Sequence, residues 1–194
     1  MAGQLDKRIA LVTGGASGIG RATALAFARE GATVVLADVD VDGGEETGRL
    51  VEGSGGEAFF LTVDVSRVAD VEALVTQTVA RYGRLDCAFN NAGMLEVGAP
   101  LADSEEAAWD RVIGVNLKGV WACMKYELRQ MCTQGRGTIV NTASIMGLVG
   151  GPNNPAYTAS KHGLVGLTKS AAWAHGPPQE SGSTPSVPGT STLR

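Results

Sequence analysis

The chain has 194 residues, of which 44% are apolar, 19% charged and 5% aromatic, a composition that predicts one globular domain with a sizeable core. Its formal charge of −4 argues against a nucleic-acid partner, whose binding face needs a basic surplus. No apolar run reaches the ~18 residues of a membrane span, and Cys87, Cys123 and Cys132 fit neither a disulfide framework nor a metal site. We therefore expect no membrane partner, no metal and a reducing, cytoplasmic location.

Short β-branched runs alternate with segments of helical period along residues 1–174. The runs predict strands at 8–13, 33–37, 58–63, 86–89 and 138–142, and the segments between them predict helices at 19–30, 43–52, 68–82, 104–132 and 156–174. This alternation is typical of βαβ units, so we predict a doubly wound, Rossmann-like parallel sheet in a three-layer α/β/α arrangement. Asp42 and Ser104 are expected to begin the second and fourth helices.

A glycine-rich turn joins the first predicted strand to the first helix. Its sequence is Thr13-Gly14-Gly15-Ala16-Ser17-Gly18-Ile19-Gly20. Glycine serves here for a tight turn, for close approach of the backbone to a pyrophosphate and for close helix–strand packing, and the helix N-terminus adds free N–H groups. Because the turn follows a strand and opens a helix, it predicts a dinucleotide site. A merely tight β–α turn is the alternative interpretation.

Asp38, at the end of the second predicted strand, indicates which dinucleotide binds. A carboxylate at this point accepts hydrogen bonds from an adenosine ribose and repels a 2′-phosphate. Its neighbours Val39 and Asp40 add no compensating cation. We therefore expect NAD in preference to NADP, and an ordinary helix-capping aspartate is the alternative interpretation.

Tyr157 and Lys161 are four residues apart in the last predicted helix, so they lie on one of its faces. A tyrosine has an ordinary pKa of about 10, and a lysine within ~4–6 Å favours the phenolate that a base requires near neutrality. Ser144, after the fifth strand, offers a hydroxyl that can polarise the same substrate oxygen. A tyrosine and a lysine on an exposed face are the alternative, but together with the dinucleotide turn they predict general acid/base chemistry.

These motifs, arriving in this order, resemble the short-chain dehydrogenase/reductase family over about residues 5–174. The positions that match its cofactor-binding residues are Gly14, Ser17, Gly18, Ile19, Gly20, Asp38, Asp64, Val65, Asn91, Ala92, Gly93, Tyr157 and Lys161. The positions that match its catalytic tetrad are Asn116, Ser144, Tyr157 and Lys161. In the family, Asp64 contacts adenine and Asn116 bends its helix.

The resemblance implies reversible hydride transfer between NAD(H) and a secondary alcohol or ketone, with Tyr157 as general acid/base. Apolar loops at 94–98 and 145–152 suggest an apolar alcohol or ketone as substrate. Many family members dimerise through their long helices, so a homodimer is also expected. An NADP-dependent ketone reductase is the alternative within this class. A non-catalytic NAD-binding remnant or an unstable fragment is the alternative outside it.

The composition changes over residues 175–194, which hold four of the seven prolines and predict a disordered tail. Family members continue here with a strand, a Pro-Gly loop and a substrate lid, so the last strands of the family fold are expected to be missing. Back-translating residues 179–194 with one nucleotide of frame shift at 177–178 permits Gly-Ile-Arg-Val-Asn-Ala-Val-Cys-Pro-Gly-Tyr-Ile-Asp-Thr-Pro. Because this is the strand and loop expected next, we interpret the tail as a frameshifted or alternatively spliced product.

Sequencing of the gene and its transcript tests this interpretation of the tail. We expect every codon over residues 179–194 to be compatible with the shifted frame, because each shifted codon has only its first base free. Codons that exclude the shifted frame would contradict the interpretation.

Overall fold

A central sheet of five parallel strands organises the molecule, and its strand order is β3-β2-β1-β4-β5. The computed structural model describes residues 3–95, 98–175 and 190–193. The strands are β1 (Ile9–Thr13), β2 (Thr33–Asp38), β3 (Glu57–Thr62), β4 (Cys87–Asn90) and β5 (Thr138–Thr142), followed by a short β6 (Thr190–Leu193).

Helices cover both faces of the sheet. They are α1 (Gly18–Arg29), α2 (Val41–Gly53), α3 (Val68–Tyr82), α4 (Glu106–Ile113), α5 (Val120–Gln134) and α6 (Pro155–His175). On one face, Val12 and Leu36 pack against Ala24 of α1, next to α2. On the other face, Leu11 and neighbouring strand residues pack against α3, α5 and α6. The predicted doubly wound, three-layer arrangement is confirmed. Strands this apolar form it because they need cover on both faces of the sheet.

The predicted helix at 104–132 is divided in the structure. Residues Gly114–Gly119 form a π-helical segment between α4 and α5, and α5 continues to Gln134. The expected helix starts were also wrong. Glu105, one residue after Ser104, is the N-cap of α4. The N-cap of α2 is Asp40, whose side chain accepts a hydrogen bond from a backbone N–H, while Asp42 lies within the first turn.

Four residues of the predicted tail form a strand. Thr190–Leu193 form β6, which pairs antiparallel with β5 so that Thr190 faces Thr142. The free edge of β5 offers the unpaired N–H and C=O groups with which this segment pairs. His175 ends α6, and residues 176–189 and 194 lie outside the described part of the chain.

A buried polar network lies between the sheet and the helices α5 and α6. Asn90 Nδ2 donates hydrogen bonds to Glu127 Oε2 at 2.9 Å and to Asn141 Oδ1 at 3.0 Å. Asn141 Nδ2 in turn donates to Thr168 Oγ1 at 3.0 Å. None of these four side chains is more than 1% exposed. Burial raises the pKa of the Glu127 carboxyl to about 7, although the Asn90 hydrogen bond acts in the opposite direction.

We expect the stability of the fold to decrease as the pH rises from about 4.5 to about 7. The ordinary pKa of this glutamate is 4.5 and its folded value is about 7, so the folded protein holds a proton that the unfolded chain releases in this window. The bound proton of Glu127 stabilises the fold fully below pH about 4.5, and this contribution is lost above pH about 7. It amounts to about 3 kcal/mol of the free energy of unfolding.

Urea unfolding at about pH 5 and about pH 8 measures this contribution. Glu127→Gln removes the titrating group, so its free energy of unfolding should depend less on pH than that of the wild type. Glu52→Gln, on the exposed face of α2, is the matched control and should follow the wild type. A Glu127→Gln variant with the pH dependence of the wild type would contradict the expectation.

Candidate cofactor cleft and acid–base site

The carboxyl ends of the strands align at one edge of the sheet. Thr13 of β1 is paired with Ala37 of β2 and with Asn90 of β4, and Asn90 is paired with Asn141 of β5. The segments that follow these strands therefore leave the sheet at one level. Open α/β sheets bind ligands in the crevice at this edge.

Three glycines shape the turn between β1 and α1. Gly14 has φ +67°, and a Cβ on it would lie 2.9 Å from the Cα of Ala92. A Cβ on Gly20 would lie 1.9 Å from the carbonyl oxygen of Gly14, so a larger residue there displaces the turn. Gly18 has φ +51°, and a Cβ on it would meet no atom of the described residues within 4 Å, so its backbone borders open space there. The N-cap Ser17 makes no side-chain capping bond, which leaves the first N–H groups of α1 available to an anion.

Hydrogen bonds from the neighbouring strands fix this turn. The backbone N–H of Gly14 donates to the carbonyl of Ala37 at 2.8 Å. Asn91 Nδ2 donates to the carbonyl oxygens of Thr13 and Gly14, each at 3.3 Å. The Thr13 hydroxyl accepts from the backbone N–H groups of Asn91 and Ala92 at 3.0 and 3.1 Å. The role of Thr13 was not predicted, although a hydroxyl at the end of an otherwise apolar strand is a signal for it.

Asp38 connects the turn to the loop after β2. Its Oδ2 accepts from the backbone N–H of Ala16 at 2.9 Å, and its Oδ1 accepts from that of Asp40 at 3.1 Å. The capping alternative does not apply to Asp38, because Asp40 is the N-cap of α2. The structure therefore places the Asp38 carboxylate at the rim, beside the glycine turn.

Asp64 and Val65 follow β3 at the same edge of the sheet. Asp64 Oδ1 accepts hydrogen bonds from the backbone N–H of Ser66 at 2.9 Å and from its hydroxyl at 2.7 Å. These bonds orient the carboxylate, and the Val65 side chain is 7% exposed.

A cavity of about 500 Å³ joins these elements. Its lining includes these predicted residues: Gly14, Ser17, Gly18, Ile19, Asp38, Asp64, Val65, Asn91, Ala92 and Gly93. Met94, from the predicted substrate loop, also lines it, together with four residues that were not predicted: Ala37, Val39, Val63 and Val115. Ile19 and Val39 are 64% and 63% exposed, so the cleft has apolar rims. The position of Val39 directly after Asp38 was the signal that could have identified it.

Asn116 lies in the π-helical segment and clamps the loop after β4. Its Oδ1 accepts from the backbone N–H of Met94, and its Nδ2 donates to the carbonyl of the same residue, both at 2.8 Å. The side chain is fully buried, and its Nδ2 also lies 3.5 Å from Ser160 Oγ on α6. Asn116 therefore connects the cleft to the helix that carries Tyr157.

Lys161 reaches from α6 to the end of β5. Its Nζ donates to the carbonyl of Thr142 at 2.7 Å and lies 5.6 Å from the centroid of the Tyr157 ring. The residue is 5% exposed, and this burial lowers the pKa of the Lys161 ammonium group. A Cβ built on Gly93 would lie 3.4 Å from Asn116 Oδ1 and 4.0 Å from Lys161 Nζ, so the cleft and the lysine adjoin.

Ser144 lies two residues after the carbonyl that holds Lys161. Its Oγ accepts from the backbone N–H of Met146 at 3.2 Å, and the side chain is half-buried. Tyr157, also half-buried, lines a second cavity of about 280 Å³ between the beginnings of α4 and α6, together with Trp109 and Asn154.

Neither a metal cluster nor a membrane-spanning helix is found among the described residues. Within the described ranges, no three His, Cys, Asp or Glu side chains cluster as a metal ion requires. Nor is any helix in that part of the chain long and apolar enough to cross a membrane.

Residues 8–179 match the family described as short chain dehydrogenase, and the chain belongs to this family. A 2,5-dichloro-2,5-cyclohexadiene-1,4-diol dehydrogenase of Sphingobium indicum is 43% identical over 89% of this chain and 68% of that protein. A cis-4-hydroxycyclohexanecarboxylate dehydrogenase of Sinomonas cyclohexanicum is 45% identical over 86% of this chain and 66% of that protein. The chain thus spans about two thirds of the length of these relatives.

Solved structures show the same architecture. The crystal structure of levodione reductase superimposes with a TM-score of 0.87 at 42% identity, over 89% of this chain and 67% of that one. NAD⁺-bound xylitol dehydrogenase superimposes with a TM-score of 0.86 at 37% identity, over 88% of this chain and 66% of that one. By lineage the chain is an oxidoreductase with a Rossmann-like fold of the kind that binds a nicotinamide cofactor.

Proposed function

We propose that this chain transfers a hydride between NAD(H) and a secondary alcohol or ketone, with Tyr157 as general acid/base. One observation supports the proposal: the glycine-lined cleft borders Lys161, the lysine that we pair with Tyr157. Gly93 connects the two, because it lines the cleft and a Cβ on it would lie 4.0 Å from Lys161 Nζ. A ligand that extends from the turn past Gly93 therefore reaches Lys161, whose Nζ lies 5.6 Å from the centroid of the Tyr157 ring.

The residues of the cleft fit a dinucleotide. The uncapped N-terminus of α1 and the open space beside Gly18 suit a diphosphate. The Asp64 carboxylate and Val65 lie further along the rim, where they suit the adenine amino group and ring. The cavity of about 500 Å³ is within the range of roughly 300–1,000 Å³ that is usual for such ligands. When bound, the nicotinamide supplies the hydride chemistry.

Lys161 supports the tyrosine through its charge. Its ammonium group is fixed by the Thr142 carbonyl and lies 5.6 Å from the Tyr157 ring centroid. This is the place for the positive charge that the proposed acid/base role of Tyr157 requires. Tyr157 can then take a proton from an alcohol or return one to a ketone.

Ser144 and Asn116 prepare the site for this proton transfer. The Ser144 oxygen accepts the Met146 N–H, so its own hydrogen is available to donate to a substrate oxygen. Asn116 acts as a positioning residue through its paired hydrogen bonds with Met94, which hold the loop that borders the cleft.

We infer that the cofactor is NAD rather than NADP. The Asp38 carboxylate lines the cleft beside the turn, where it can accept hydrogen bonds from a ribose and would repel a 2′-phosphate. The relative solved with NAD⁺ bound supports this choice by analogy.

An apolar ring alcohol or ketone is the substrate class that we propose. Ile145, Leu148 and Val149 follow Ser144 and are 70%, 61% and 51% exposed, so they offer an apolar surface next to the site. The names of two relatives refer to substituted six-membered carbocycles with hydroxyl groups. Of the other predicted substrate loop, residues 96–97 lie outside the described residues.

We also propose a homodimer in the cytoplasm. The indole rings of Trp109, Trp121 and Trp173 on α4, α5 and α6 are 37%, 41% and 64% exposed, which favours a second copy as the partner of these helices. Three free thiols favour a reducing compartment.

Replacement of Tyr157 by Phe is expected to lower kcat for NAD-linked oxidation of cyclohexanol by about 100-fold to 10,000-fold, because the proton acceptor is lost. The dissociation constant of NADH, measured by nucleotide fluorescence, should change little. Tyr82→Phe is the matched control, because Tyr82 contacts Glu57 at the far edge of the sheet.

The same assays separate the alternatives. Wild-type chain that binds NADH without turnover supports a non-catalytic nucleotide-binding protein. Chain without a cooperative unfolding transition supports an unstable fragment. A Tyr157→Phe variant as active as the wild type would contradict the proposed mechanism.

Replacement of Asp38 by Asn keeps an acceptor for the Ala16 N–H but removes the negative charge. We expect the preference for NADH over NADPH to fall by about 10-fold or more, which corresponds to one hydrogen bond to a charged group. Fluorescence titration with both nucleotides measures the ratio of dissociation constants. Asp40→Asn, a neighbouring carboxylate that caps α2, should keep the preference of the wild type. An unchanged ratio in Asp38→Asn would assign the selection of cofactor to other residues.

A further inference from the structure

The polar network under the cleft contains two oxygens without a hydrogen-bond donor. Asn90 Oδ1 and Glu127 Oε1 are buried and make no hydrogen bond within the described part of the chain. Such groups are rare in protein cores, because each one forfeits its interaction with water without compensation. Both oxygens belong to planar groups that already share one bond, from Asn90 Nδ2 to Glu127 Oε2.

No side-chain hydrogen remains in the network to satisfy these oxygens. Asn90 Nδ2 donates to Glu127 and to Asn141. Asn141 Nδ2 donates to Thr168 and contacts the sulfur of Met124 at 3.3 Å. The Thr168 hydroxyl donates to a backbone carbonyl one turn earlier. One additional hydrogen on Glu127 Oε1 would supply the missing donor, and Asn90 Oδ1 is the acceptor on the facing group.

We propose that Glu127 is a protonated carboxylic acid whose Oε1 donates to Asn90 Oδ1, and that this cyclic acid–amide pair positions the floor of the cofactor cleft. Burial of the carboxyl, which raises its pKa, is consistent with the neutral form. The thiol of Cys123, one turn earlier on α5, is also buried with a raised pKa and adds no charge beside Glu127. The inference rests on the proposed function only for its nucleotide-binding measurement.

The pair acts on the cleft through the residues next to its partners in sequence. Asn90 immediately precedes Asn91, whose amide holds the carbonyls of Thr13 and Gly14. Asn141 immediately precedes Thr142, whose carbonyl holds the Lys161 ammonium. Thr168 ties the network to the helix that carries Tyr157 and Lys161. Glu127 is therefore a positioning residue that acts on both halves of the site through the strand ends.

Infrared spectroscopy of the wild-type chain tests the proton directly. At about pH 6, below the folded pKa of about 7, a difference spectrum against Glu127→Gln should contain the C=O stretching band of a buried carboxylic acid. The amide of Gln keeps one donor and one acceptor for Asn90, so this variant should fold. Absence of the band would overturn the proposal.

Nucleotide binding tests the positioning role. Glu127→Met removes both hydrogen bonds at similar volume and should raise the dissociation constant of NADH by between about 2-fold and about 30-fold. Glu127→Gln should bind as the wild type does. Met131→Ala, one turn later on α5, removes buried packing but no polar partner and should also bind normally.

Each other outcome contradicts a specific part of the proposal. If Glu127→Met binds normally, or if Met131→Ala weakens binding equally, the pair does not position the cleft. If Glu127→Gln weakens binding as Glu127→Met does, the active form is the carboxylate rather than the acid. If the wild type does not bind NADH, the proposed function fails, while hydrogen exchange at 90–93 and 142–144 still measures the positioning: Glu127→Met should accelerate it, and unchanged exchange would overturn the role.

Discussion

Parallel pairing of β1 with β4 and of β4 with β5 is the constraint on which the site depends. It brings the ends of three strands that are distant in sequence to one edge, with Thr13, Asn90 and Asn141 side by side. The segment after each strand therefore enters the same crevice: the glycine turn after β1, the loop that begins at Asn91 after β4, and the approach to Ser144 after β5. A shift of one residue in either pairing would turn the buried side chains of the shifted strand to the opposite face of the sheet. The apolar core that fixes the register therefore also aligns the chemistry.

Amides carry this alignment from the sheet into the loops. Asn91 holds the turn after β1, Asn116 holds the loop after β4, and Asn90 connects β4 to β5 and α5. An amide group both donates and accepts, so it can join two backbone segments without introducing a charge into the core. Lys161 is a buried cation of the same region, and its ammonium group is satisfied by a strand-end carbonyl. Buried polar bonds thus transmit the rigidity of the sheet to the groups around the cleft.

The differences between expectation and structure have local physical causes. The helix predicted at 104–132 keeps its apolar periodicity, but the amide of Asn116 bonds to the backbone of Met94 from within a π-helical segment. The start of α2 is set by Asp40 rather than Asp42, because the residue whose side chain reaches the free N–H two or three positions ahead becomes the cap. Strand β6 depends on an available edge of β5, which composition alone does not describe.

The amino-acid sequence by itself determined the fold class, the glycine turn and the residue types at the rim, because strand alternation, glycine placement and the Tyr157–Lys161 spacing are local patterns. Only the tertiary structure decided three further relations. Gly93 adjoins Lys161, the Thr13 hydroxyl holds the start of the loop after β4, and the buried Glu127 has one carboxylate oxygen without a hydrogen-bond partner among the described residues. The residues in these contacts are between 37 and 79 positions apart in the sequence. Whether such a residue is buried and hydrogen-bonded depends on neighbours that only the packed fold brings together, and a local sequence pattern does not contain them.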